Sequence, residues 1–195
     1  MTRIMRSRMW MMAGLLTCSV CCGQPILIGV IGGEMVSNDL NNQWLQSVST
    51  RYAIGPKLDI GLPFGLGIEV DMLYRNQGYQ LPDYPEYSEQ HATSWEFPFL
   101  LKKSLAFPLV KPFAEAGYAP RVLDANGGST ASHGLVLGGG VELGIGRLRL
   151  EPAIRYTHWS NTPVLLVIPN GPSPQLSANQ VDVLLGISLK LFKLK

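Results

Sequence analysis

After residue 23 the chain falls into segments of about ten residues in which apolar and polar side chains alternate one by one, with turn residues between the segments. A period of two places successive side chains on opposite faces of a strand, so each segment acquires two distinct faces. In "RLRLEPAIRYT" one face carries Arg147, Arg149, Glu151 and Arg155, and the other Leu148, Leu150, Ile154 and Tyr156. "VKPFAEAGYAPR" sets Lys111, Glu115 and Arg121 against Val110, Ala114 and Tyr118, while "GIEVDMLYR" sets Glu69, Asp71 and Arg75 against Ile68, Val70 and Met72. The last segment sets Asp182 and Lys190 against Val181, Val183, Leu185, Ile187, Leu189 and Leu191. No stretch shows helical periodicity. An all-β chain is predicted, with strands at Ile26–Val36, Arg51–Gly61, Gly67–Tyr79, Ser94–Leu105, Val110–Leu123, His133–Gly144, Arg147–Ser160 and Asn179–Phe192.

The connections alternate in length. Leu62–Gly65, Ala106–Leu109 and Gly144–Arg147 read as tight turns, whereas 37–50, 80–93, 124–132 and 161–178 read as long polar loops. Four hairpins joined in this way place every tight turn at one end and every long loop at the other, the layout of an outer-membrane barrel. Parity alone leaves two barrels open. A lipocalin-like carrier would turn its charges to water, and a membrane barrel would turn its oily face to lipid.

The membrane form is favoured by two groups of aromatics, Tyr52, Tyr74, Tyr79, Trp95, Tyr118, Tyr156 and Trp159 near the long loops and Phe64, Phe107 and Phe192 near the other end. Glycines at the inward positions 55, 117, 138, 140 and 186 suit a narrow interior that must also hold long charged side chains. The expected fold is an eight-stranded antiparallel up-and-down transmembrane β-barrel. Its lumen would hold Glu34, Lys57, Asp59, Glu69, Asp71, Arg75, Glu96, Lys102, Lys111, Glu115, Arg121, Glu142, Arg149, Glu151, Arg155 and Asp182 as a paired network. A barrel of this size is filled by its own side chains, which leaves no continuous aqueous pore.

Residues 1–23 read as an export signal. Arg3, Arg6 and Arg8 precede an apolar run from Met9 to Cys22, too short for a membrane helix. Cleavage is expected after Gly23 or Cys22, followed by a barrel domain over 24–195; acylation at Cys18 is an alternative. Cys18, Cys21 and Cys22 all lie in this segment, so the remainder has no thiol chemistry, disulfide or cysteine metal site. The formal charge of +2 includes those three arginines, leaving no basic patch for nucleic acid. His91 and His133 stand alone, and no metal site or cofactor is expected.

"SWEFPFLLKKSL", "VKPFAEAGYAPRVL", "GLVLGGGVELGIGRLRLEPAIRYTHWS" and "NQVDVLLGISLKLF" resemble the small outer-membrane β-barrel domain family of Gram-negative bacteria, whose members include OmpA/OmpX-like eight-stranded barrels. The resemblance runs from "IGVIGGE" to the last strand. It implies an integral outer-membrane protein, a monomer, contacting outer-membrane lipid and lipopolysaccharide and binding other partners through its external loops; it implies no particular chemistry. "HWSN" is also similar to the H-x-S-N motif of outer-membrane lipid A deacylases. That similarity implies Ser160 as nucleophile, His158 as its base and Asn161 at the oxyanion site. The motif departs from the deacylases in lacking an acid downstream in "VIPNGPSP" to orient the histidine, and Asp182 falls on the lumen side. The competing reading makes Tyr156, His158, Trp159 and Ser160 interfacial residues where a strand leaves the membrane.

Overall fold

The computed structural model describes residues 25–36, 46–47, 52–80, 90–105, 107, 110–125, 128–160 and 178–193. The chain forms a closed antiparallel barrel of eight strands. These are β1 (Pro25–Met35), β2 (Tyr52–Gly61), β3 (Leu66–Asp71 continued by Leu73–Gln80), β4 (Gln90–Glu96 continued by Phe99–Ser104), β5 (Val110–Ala125), β6 (Gly128–Ile145), β7 (Leu148–Trp159) and β8 (Asn179–Lys193). Each pairs with its sequence neighbours, and β8 pairs with β1 from Pro25↔Lys193 to Met35↔Asp182, so the sheet has no open edge there. A two-residue strand, Gln46–Ser47, lengthens the far end of β3 by pairing with Gln80 and Tyr79. Residues 1–24, where the export signal is expected, and most of 37–50, 80–93 and 161–178 lie outside the described residues.

The stretch 124–132 is not a long loop. The β5–β6 ladder continues to Ala125↔Gly128, so only Asn126 and Gly127, outside the described residues, separate the two strands. Asn-Gly is the dipeptide preferred in two-residue hairpins, because both positions accept positive φ. The polar composition of "DANGGSTAS" therefore reflects a ladder that continues into water.

Two strands are interrupted at adjoining points. β3 breaks at Met72 and β4 at Phe97 and Pro98, where proline has no N–H to give its neighbour. Proline carbonyls keep the wall bonded: Asp71 N–H donates to Pro98 O (3.1 Å), Met72 N–H to Pro56 O (3.1 Å) and Phe97 N–H to Pro120 O (2.9 Å).

The two faces differ as in a membrane barrel and not as in a lipocalin. Twenty-seven large apolar side chains are exposed among the described residues, including Leu135 (64 %) and Ile154 (60 %), whereas Arg155 is 2 % exposed and Glu69 1 %. Leaving a Leu, Ile, Val or Phe in water forfeits about 1.5–3 kcal/mol each, so this outer surface requires lipid.

Three side chains depart from their expected positions. Glu34 faces outward and is exposed, on the same side as Ile28 and Val30, because the inward positions of β1 are the apolar Leu27 and Ile31 with Gly29 and Gly33. Both faces of "ILIGVIGG" are apolar or small, so alternation gave no sign there. Trp159 follows the parity of Arg155 and Thr157 into the lumen, where it is 2 % exposed, and takes no part in an interfacial girdle. Lys111 has the inward parity but stands exposed at the rim nearest the short turns, opposite Glu142 in the ladder and outside the buried network.

The inward glycines allow close strand approach. A Cβ at Gly55 would lie 1.7 Å from the Met72 carbonyl oxygen, at the break in β3, whereas one at Gly186 would meet only ordinary contacts at 3.4 Å with Glu151 and Lys57. Gly55→Ala is therefore expected to destabilise the barrel by about 1–3 kcal/mol. Gly186→Ala should stay near wild type. Urea titration of the compact band on unheated gels measures both, and equal midpoints would contradict this account of Gly55.

Candidate functional site: the lumen and the outer face

The lumen stacks its charges in three levels. Nearest the long connections, the Arg75 guanidinium donates to both oxygens of Glu96 (Nε to Oε1 and Nη2 to Oε2, each 3.1 Å) and both of Asp182 (Nη1 to Oδ1, 2.9 Å; Nη2 to Oδ2, 3.0 Å). Asp182 also accepts from Gln180 Nε2 at 2.8 Å, and Gln180 accepts from Trp159 Nε1 at 3.0 Å. The Trp159 ring carries the Arg121 guanidinium 3.8 Å from its centroid. Arg121 Nε donates to Ser132 Oγ at 3.0 Å, and its Nη2 has no hydrogen-bond partner.

At the middle level Arg155 holds three carboxylates. Its Nε donates to Glu115 (2.9 Å), Nη1 to Asp71 (2.9 Å) and Nη2 to Glu69 (3.1 Å). Glu69 links this level to the next through its other oxygen, which lies 2.8 Å from Lys57 Nζ and 2.7 Å from Lys102 Nζ. Both lysines also reach Glu151 at 2.7 Å, and Lys102 lies over the Phe113 ring at 4.1 Å. Arg149 closes the level by pairing with Asp59, with Glu142 at 3.4 Å and with Glu151 at 3.3 Å.

Fourteen of the sixteen residues expected in the lumen are thus brought together, and the exposed Glu34 and Lys111 are not. Asp59, Glu69 and Glu151 present carboxylate oxygens within 4.8 Å of one another, the spacing of a cation site. Their counter-charges are the chain's own Lys57, Lys102 and Arg149. Apolar clusters, Ile31 with Leu73 and Leu184, and Leu100 with Ala119, Val136 and Trp159, fill space between the ionic levels. A recess of about 200 Å³ remains at the short-turn end, lined by Asp59, Lys102, Ser104, Lys111, Glu142 and Arg149.

His158 and Ser160 share the outer face, but each is engaged elsewhere. The Ser160 hydroxyl donates to the His133 carbonyl at 2.9 Å. Asn179 Oδ1 accepts from the Tyr156 hydroxyl at 2.7 Å and lies 2.9 Å from His158 Nδ1. An amide oxygen only accepts, which places the imidazole hydrogen on Nδ1. The group orienting His158 is thus an amide, not the carboxylate of a triad. Ser160 stands in a bend just past the end of β7 at Trp159. Asn161 lies outside the described residues.

Structural comparison supports the same class of fold. The chain is similar to Neisserial surface protein A (TM-score 0.58, 12 % identity, covering 85 % of this chain and 97 % of that one). It is equally similar to the outer membrane protein OprG from Pseudomonas aeruginosa (TM-score 0.58, 11 % identity, 87 % and 96 % covered). The outer membrane protein AlkL, solved in lipid bilayers, follows at TM-score 0.52 and 13 % identity, with 89 % and 92 % covered. No family model and no curated protein matches the chain. Fold and lumen together define a small eight-stranded transmembrane β-barrel of the outer-membrane type with a charge-filled interior.

The network separates two buried arginines energetically. Arg155→Met would strand Asp71 and Glu115, while Glu69 keeps Lys57 and Lys102, and should cost about 3–5 kcal/mol. Arg121→Met removes a ring contact and one hydrogen bond, and should cost about 1–2 kcal/mol. Urea midpoints in detergent rank the two, and a reversed order would refute the assignment of Arg155 as the central ion-pair donor.

Proposed function

We propose that the chain is an integral outer-membrane protein whose barrel is a structural support, with surface binding carried by its external segments 37–50, 80–93 and 161–178 and by the β5–β6 hairpin around 124–132. The observation that carries this reading is the filled lumen. Lys57, Arg75, Lys102 and Arg155 are each at most 4 % exposed and each held by at least two carboxylates, so a sustained ion path would have to break several buried pairs together. In this reading the barrel is a monomer, which the closure of β8 on β1 supports by leaving no strand edge there for a second copy.

The lipid A acyl-ester hydrolase reading is weaker, because the Ser160 hydroxyl is bonded to a backbone carbonyl and His158 to an amide. The carrier reading is weaker because the apolar surface faces outward. The chain should give no steady conductance in planar bilayers. Lipid A from Gram-negative cells expressing wild type or Ser160→Ala should carry the same acyl chains by mass spectrometry. A wild-type-only loss of one chain would overturn the non-catalytic reading, and stable channel steps would overturn the closed lumen.

A further inference from the structure

The charges that remain outside the lumen are divided between the two ends of the barrel. At the long-connection end Glu34 and Asp124 are the exposed acids among the described residues, and the segments 37–50, 80–93 and 161–178 carry Asp39, Asp83, Glu86 and Glu89 with no lysine or arginine. At the short-turn end Lys103 on β4, Lys111 on β5 and Arg147 just before β7 are exposed, and Lys190 on β8 is half-buried. These four form an arc on one side of the rim: Lys103 pairs with Ala114 on β5, Lys111 with Glu142 on β6, and the Lys190 N–H donates to the Arg147 carbonyl at 3.0 Å. Lys103 Nζ donates to the Phe64 carbonyl, and none of the four is paired with a carboxylate among the described residues. The acids nearest this end, Asp59 and Glu142, are buried and held by Arg149.

Height places the arc at the lower edge of the lipid-facing wall. β7 runs for 12 residues from Leu148 to Trp159, about 40 Å of strand and about 30 Å of height at the usual tilt, against an apolar band of about 25 Å in such barrels. Arg147 precedes Leu148 and so stands at the boundary of that band. Apolar side chains stand among the cations, with Phe64, Leu105, Phe107, Ile145 and Leu189 all exposed. The recess of about 200 Å³ at this end has Lys111 and Arg149 in its lining together with Leu62, Leu66 and Leu105.

We propose that this arc binds the phosphate headgroups of anionic phospholipids, phosphatidylglycerol in chemical class, in the periplasmic leaflet of the membrane. The charge selects an anion, because four cations without acids of their own each attract a phosphate brought within a Debye length. The apolar border selects a lipid. A soluble anion would meet the cations but leave Phe64, Leu105 and Phe107 in water, whereas a phospholipid covers them with its chains while its phosphate reaches the cations. Lys103 has the outward parity of β4, since Lys102 points inward, and its long stem carries the ammonium along the wall to headgroup level. Arg147 offers a fork of N–H donors to phosphate oxygens, and Lys111 and Lys190 offer compact charges. The acidic long-connection end disfavours the same lipids, so the preference belongs to one end of the barrel.

The inference rests on the orientation proposed above, with the short turns on the periplasmic side. Native mass spectrometry of the folded full chain in neutral detergent, titrated with phosphatidylglycerol or with phosphatidylcholine of the same acyl chains, tests the binding. Wild type should retain phosphatidylglycerol about tenfold more tightly, and the preference should shrink as ammonium acetate is raised. Lys103→Gln, Lys111→Gln, Arg147→Gln and Lys190→Gln together should bring it to about twofold or less. Lys111→Gln with Arg147→Gln should give an intermediate value, and Glu34→Gln with Asp124→Asn at the other end should leave it unchanged. Equal retention of the two lipids by wild type, or an undiminished preference in the quadruple variant, would overturn the proposal. Poly-L-glutamate at matched charge stands for a soluble acidic partner, and displacement of phosphatidylglycerol by it would overturn lipid as the occupant. Unheated gels establish that each variant is folded. Orientation is read separately: Gly144→Cys, beside the β6–β7 turn where an added Cβ meets nothing within 4 Å, should react with an impermeant maleimide only after the outer membrane is permeabilised. Labelling in intact cells would overturn the orientation, and with it the leaflet, whatever the lipid preference.

Discussion

The barrel depends on the pairing of charges that its own closure buries. Rolling an eight-stranded sheet shut leaves an interior just wide enough for side chains, and here that interior contains lysines, arginines, aspartates and glutamates. An unpaired buried ion costs several kcal/mol, so the array holds only if every level is satisfied in one arrangement. Arg155 on β7 reaches carboxylates from β3 and β5, and Arg75 on β3 reaches β4 and β8. Ion pairs that cross the lumen therefore add specificity of register to the ladder bonds. Slipping one strand by a residue would turn its charges into lipid and its aliphatics into an ionic interior.

The same constraint explains the glycines and prolines. Long guanidinium side chains need space, and positions such as Gly138, beside the Glu115 carboxylate, provide it. The prolines at 56, 98 and 120 interrupt the ladder near one height, yet their carbonyls receive the N–H groups of Met72, Asp71 and Phe97. In a bilayer no water is present to satisfy such groups, so the breaks are compatible with a spanning wall because those donors find partners within the sheet.

Most of this architecture was legible in the alternation of the chain, because an apolar face opposite a charged one specifies strand direction and parity wherever both signs are present. β5, β7 and β8 have this property, and their inward charges lie where parity places them, except at the exposed rim. β1 lacks it: its two faces are nearly alike, and Glu34 was assigned by residue type alone. The hairpin at 124–132 differs from its composition because polar residues in a strand beyond the membrane resemble a loop, although the Asn-Gly pair carries the signal of a tight turn. Partner choice within the lumen was not legible. Glu96 stands opposite Arg121 in the ladder yet bonds Arg75, a result of side-chain reach and barrel curvature that alternation does not encode.

The stretch "RYTHWSN" shows how parity divides function on a single strand. Arg155, Thr157 and Trp159 point inward, where they complete the ionic middle level and carry Arg121; Tyr156, His158 and Ser160 point outward, where they meet the membrane surface. A histidine and a serine two positions apart suggest a catalytic pair because they share a face. Sharing a face also spaces them by two strand residues, and the bonds to Asn179 and to the His133 carbonyl use each group separately. The arrangement left on the outer face is a set of donors and acceptors bonded to one another above an aliphatic wall.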